Sequence, residues 1–153
     1  MRTNLLLLLI VSLVQSVSFA QPKTYMLVHG AWCWKNVKPM LEASGNKVFA
    51  PDLPGHGDDK TPVSMVIFDD YVDKIVNVAN SQPGPVVLVG HSMAGVVIAQ
   101  AAENLKKGKV EMLVFLDAFM PNNGDSVFGL VEKRPFKTRP MALSRLSQVS
   151  LQA

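Results

Sequence analysis

The chain has a single cysteine, Cys33, and only three histidines, His29, His56 and His91, in 153 residues. One thiol excludes an internal disulfide and a metal site of cysteine type, so packing has to hold the fold together. Internal repeats and low-complexity stretches are absent, and 48% hydrophobic residues with ordinary glycine and proline counts exclude disorder as a general description. Excess charge is also missing from the body of the chain. The formal +3 is concentrated at the end, where Lys133, Arg134, Lys137, Arg139 and Arg145 face only Glu132, while residues 21–131 carry slightly more acidic than basic groups. A nucleic-acid partner is therefore not expected, because such binding needs cations spread over a folded face and interleaved with aromatic platforms.

The one long apolar run lies at the start. Arg2 precedes Leu5 to Val14, and Ser16, Ser18 and Ala20 form a small, polar exit. This is the pattern of a cleavable secretory signal over residues 1–20, with cleavage after Ala20 and membrane contact only during export. An uncleaved anchor is the alternative, since Leu5 to Ala20 approaches the length needed to cross a thin bilayer. The expected organisation is a signal at 1–20, a folded part at 21–131 and an irregular basic tail at 132–153.

Four short β-type runs alternate with helical patterns. Thr24 to Val28, Lys47 to Ala50, Val86 to Val89 ahead of the Gly90 to Gly95 segment, and Val110 to Leu116 are apolar and rich in β-branched residues. Between them, Val37, Met40 and Leu41 recur at helical spacing. Phe68, Tyr71, Val72, Ile75, Val76 and Ala79 mark one face of a helix within Ser64 to Asn80. A small-residue helix is expected from Ala94 to Lys107. Asp69 and Asp70 fall early in their helix, where they suit its dipole. The alternation specifies an α/β fold with a parallel sheet, right-handed crossovers and flanking helices.

Gly90-His91-Ser92-Met93-Ala94-Gly95 joins the third strand directly to a helix. A strand running into small-x-Ser-x-small builds a tight elbow that lifts the serine hydroxyl off the sheet edge, and only small neighbours fit beside it. Ser92 is the candidate nucleophile. Strand ends also place His29, Asp52 and Asp117 at the same edge, where active groups of open α/β sheets collect. No phosphate loop, metal-ligand cluster or dinucleotide fingerprint competes, so no cofactor and no metal are expected.

These segments resemble the α/β-hydrolase superfamily, and within it the small esterases related to plant methylesterases and hydroxynitrile lyases. The resemblance rests on Leu27-Val28-His29-Gly30-Ala31-Trp32, Ala50 to Gly57, the Gly90 to Gly95 elbow and Leu116-Asp117-Ala118-Phe119-Met120-Pro121. It implies Ser92 as nucleophile, the backbone N–H groups of Ala31 and Met93 as oxyanion donors, and a small carboxylic ester as substrate. The chain departs from the pattern in two ways. The loop after Gly30 is shorter than the usual form, and no histidine follows Ser92, although the family takes its triad in the order nucleophile, acid, histidine. His29 is expected to brace the loop, His56 to be structural, and Asp117 to be structural.

The expectation is accordingly a truncated α/β-hydrolase fold, with an uncovered sheet edge that favours self-association. Its function is an exported serine hydrolase in complete form, or alternatively a catalytically dead remnant or binding module. Hydroxynitrile lyase or cofactor-free peroxidase chemistry shares the same nucleophile region and ranks below both.

Overall fold

The computed structural model describes residues 21–122 and 124–125. The segment read as an export signal and the basic tail lie outside the described residues. Four strands form one parallel sheet: β1 (Thr24–Val28), β2 (Lys47–Phe49), β3 (Val86–Ser92) and β4 (Val110–Ala118), in the order β2-β1-β3-β4. Three helices connect them, α1 (Val37–Ala43), α2 (Phe68–Asn80) and α3 (Ala94–Asn104), with 3₁₀ turns at Ala31–Trp34 and Val63–Met65. The chain steps outward from β1 to β2 and then returns across it to β3. That reversal puts a topological switch between β1 and β3.

Strand alternation sorts the core into two layers. Met26, Val28, Val86 and Leu88 point to one face, where Val72, Ile75 and Ala79 of α2 and Val97, Ile98 and Ala101 of α3 cover them. Leu27, Val48, Val87 and Val89 point to the other, where Trp34 and the partly buried Leu41 of α1 pack on them. Because β1 and β3 are buried on both faces, their sequences are continuous apolar runs without polar alternation. β4 borders the sheet, and Met112 and Leu116 on it are exposed.

Element ends follow from local chemistry. Helix α2 starts at Phe68, later than the Ser64 that periodicity suggests, because Val66 and Ile67 are extended and Asp70 Oδ2 accepts from the Ile67 N–H at 2.9 Å. A carboxylate at that position satisfies an amide the helix leaves open and lies at the positive end of its dipole. Helix α3 ends at Asn104, not Lys107, because Leu105 turns extended and buries its side chain in the core. Before β3, the Lys109 ammonium donates to the carbonyls of Gln82 at 2.5 Å and Gly84 at 2.9 Å, pinning the breaker-rich Pro83-Gly84-Pro85 segment.

Leu88 sits at the centre of the sheet and is fully buried, whereas Met40 on α1 is 70% exposed. Leu88→Ala is expected to cost about 2–5 kcal/mol, and Met40→Ala less than about 0.5 kcal/mol. Urea unfolding of both variants beside the parent chain measures the contrast.

Candidate active site

The C-terminal ends of β1 and β3 bring His29, His91 and Ser92 together at the switch point, the position where open α/β sheets place their ligands. Ser92 has φ +54°. A non-glycine residue in the left-handed region is uncommon, and here the surroundings enforce it. A Cβ on Gly90 would stand 2.7 Å from the Ala94 carbonyl oxygen and 2.9 Å from Ile98 Cδ1, and one on Gly95 would collide with the Phe119 carbonyl oxygen. The Phe119 N–H donates to the Ser92 carbonyl at 3.1 Å, tying the end of β4 to the turn. Met93 follows as the first residue of α3's N-terminal boundary, with the Val96 N–H on its carbonyl.

The loop after β1, whose Ala31 amide the family resemblance makes an oxyanion donor, is tied to the loop after β2. The Ala31 N–H donates to Asp52 Oδ1 at 2.9 Å, and Asp52 Oδ2 accepts from the Asp58 N–H at 3.1 Å. Asp52 thus clamps the β1 loop to the Pro51 to Gly57 loop, and Gly57 is required beside it because a Cβ there would run into the carboxylate. The space left by Gly30 is filled by the Trp32 indole, 2.5 Å from where a Cβ would stand. The tryptophan pair divides: Trp34 is core at 3% exposure, while Trp32 is 68% exposed.

Each histidine has a distinct environment. His29 Nδ1 lies 3.2 Å from Cys33 Sγ, and its ring is 5.0 Å from the His91 ring and edge-on to Trp32 at 6.3 Å. Burial holds His29 below the usual histidine range, with His91 and His56 pushing in the same direction. His91 packs edge-on against Trp34, and its Nδ1 is buried without a protein partner, as is Trp34 Nε1. His56 Nδ1 is 3.0 Å from the Pro54 carbonyl, which makes that nitrogen the donor, and the ring packs on Tyr71. Among the described residues, no imidazole hydrogen-bonds the Ser92 hydroxyl. Asp117 is exposed, with φ +44° at the bulge that pairs Ser92 with Ala118.

A cavity of about 710 Å³ wraps the β2 edge, lined by Trp34, Lys35, Lys38 and Lys74 among others. A second of about 610 Å³ lies between α3 and the Pro121 to Asp125 segment. Neither is lined by Ser92. The geometry at the strand ends, and not the larger hollow, therefore defines the candidate site. Among the described residues no group of three or more histidine, cysteine or acidic side chains is arranged to hold a metal ion.

A family model described as "Alpha/beta hydrolase family" matches residues 26–151. The chain belongs to the α/β-hydrolase family. It is 40% identical over 109 residues to Methylesterase 1 of Arabidopsis thaliana, covering 69% of this chain and 41% of that protein. It is also 40% identical over 97 residues to Alpha-hydroxynitrile lyase of the same plant, covering 61% and 37% respectively. Among solved structures, tomato Methylketone Synthase I superposes with a TM-score of 0.67 at 30% identity, over 74% of this chain and 46% of that one. The chain spans less than half the length of these relatives.

The His29 environment generates a pH dependence. The unfolded chain takes up a proton that folded His29 resists, so stability falls as pH drops through the ordinary value of 6.5 toward the lowered folded value. His29→Gln is expected to flatten that slope between about pH 7 and pH 5, as followed by urea unfolding at a series of pH values.

Proposed function

We propose that this chain carries the nucleophile-bearing part of an exported serine esterase acting on small carboxylic esters. The observation that carries the reading is the backbone of Ser92, held at φ +54° by the close approach of β3, α3 and the end of β4. Such a turn presents a hydroxyl where a carbonyl carbon can reach it. Attack by Ser92 Oγ would form the acyl–oxygen bond, place negative charge on the carbonyl oxygen and, on collapse, release the alcohol. The Met93 N–H, at the start of α3, is the donor suited to that charge, aided by the helix dipole.

Resemblance to Methylesterase 1 supports ester chemistry, and resemblance to Alpha-hydroxynitrile lyase keeps cyanohydrin cleavage as a lesser outcome of the same site. The run at residues 1–20 supports export. An exposed border strand with Met112 and Leu116 supports self-association, which sedimentation across a concentration series tests: a monomer at every concentration removes it.

A second reading, a binding module without turnover, is favoured by two specific features. The Ala31 amide is engaged by Asp52, and no described imidazole reaches Ser92. The two readings separate in one experiment. Intact mass after exposure to a fluorophosphonate is expected to show a single adduct mapping to Ser92, absent in Ser92→Ala. Ester turnover should fall by about 10⁴-fold or more in that variant. An unmodified Ser92 under the same exposure leaves the binding-module reading in place.

A further inference from the structure

We infer that the cavity along the open border of β2 is a binding site for a small amphipathic carboxylate, one anionic head on a flat apolar body, separate from the site at Ser92. Its volume of about 710 Å³ is in the range of small-molecule pockets. Three parts of the chain build it: the turn and α1 that follow β1, β2 with the residues after it, and α2. Topology explains the meeting. β2 is last in the sheet order, so among the described residues no strand lies beyond it, and α1 and α2 cover opposite faces and leave the border open between them.

Charge gathers there against the trend of the chain. Residues 21–131 hold nine lysines against eleven acidic groups, yet Lys35, Lys38 and Lys74 all line this cavity, with Glu42 as its one acidic lining residue. Glu42 answers Lys38 at 3.3 Å. Lys35 and Lys74 have no carboxylate at ion-pair distance among the described residues, and Asp59 feels Lys74 only through space. Lys38 and Lys74 are half-buried, and such lysines lay their apolar stems against the protein while the ammonium stays at the water.

The floor sets the rest of the ligand. Val48 is buried, and Phe49 and Val78 are partly buried apolar side chains that line the same space. A compact, fully hydrated anion gains nothing from that floor, and a neutral apolar solute leaves two cations unanswered. A monoanion with a flat apolar body answers both. The Glu42 carboxylate disfavours a second negative charge. The backbone adds a donor: the Lys47 N–H bonds the Lys23 carbonyl at 2.9 Å toward β1, so strand alternation turns the Val48 N–H outward to the open border, where a carboxylate oxygen accepts from it. Another strand is a poorer occupant, since β2 has only three residues and lysines along a border deter pairing.

The 153-residue chain is titrated by calorimetry with 2-naphthoate, with 2-naphthamide as its neutral counterpart and inorganic phosphate as the compact anion. One saturable site is expected for 2-naphthoate, with Kd below about 1 mM, weakened about tenfold for 2-naphthamide and not displaced by equimolar phosphate. The double variant Lys35→Gln/Lys74→Gln should bind about tenfold more weakly, with a urea midpoint equal to the parent's because both changes lie at the surface. Position is read by acetic anhydride labelling and peptide mass: 2-naphthoate should slow acetylation of Lys35, Lys38 and Lys74 and leave the exposed Lys60 and Lys106 unchanged. No saturation by about 1 mM, undiminished binding to the double variant, displacement by equimolar phosphate, or protection outside those three lysines overturns the inference. None of these outcomes depends on the fluorophosphonate adduct at Ser92, so the two ideas fail separately.

Discussion

The close approach of three backbones at the end of β3 governs the rest of the molecule. Gly90 lies against the Ala94 carbonyl and Ile98, and Gly95 lies against the Phe119 carbonyl, so no side chain fits at either position. That contact forces the abrupt change from strand to helix and puts Ser92 in a left-handed conformation. It also fixes where α3 crosses the sheet and where β4 must end. The cost of the unfavourable φ is of order 1–3 kcal/mol, and it persists because the packed neighbours over-determine it. Substituting either glycine would therefore disturb the helix, the border strand and the serine together.

Much of this was legible in the sequence for physical reasons that can be named. β1, β2 and β3 start as short apolar runs bounded by breakers; the limits of β1 and β2 differ from the expected ones by at most a residue, while β3 continues past its apolar run to Ser92. Helix limits were harder to read. Periodicity shows which residues share a face but not where capping begins, and Asp70 caps at Ile67 in the midst of the apolar pattern. Leu105 has the composition of a helix residue, yet its burial needs the chain to leave the helix. Strand β4 runs on to Ala118 because Asp117 adopts a bulge that no local preference announces.

The site was legible at Ser92 and much less so around it. Small residues at Gly90, Ala94 and Gly95 signal the turn directly. The contacts of the β1 loop depend on which groups fill the space around it, and periodicity announces neither the distant nor the near ones. Asp52 reaches Ala31 across 21 positions, and the Trp32 ring takes the volume over Gly30. Cys33 beside His29 was also missed as a pair. Its signal was a four-residue spacing straddling the end of a strand, which reads as unrelated until the 3₁₀ turn is known. The sheet itself is asymmetric: one face carries two helices, while the other carries α1 and Trp34 and leaves Met112 and Leu116 exposed.

Asp52 makes the Ala31 amide the subject of an exchange. One of its oxygens holds that amide while the other stays on the Asp58 amide, so the carboxylate is tethered at two points. Any other anionic oxygen arriving at Ala31 meets an intramolecular competitor whose effective concentration is set by covalent connection and not by the solution. Occupancy of that amide by an outside ligand is therefore decided by a difference between two anion affinities, and a ligand must outbid a charge that never diffuses away.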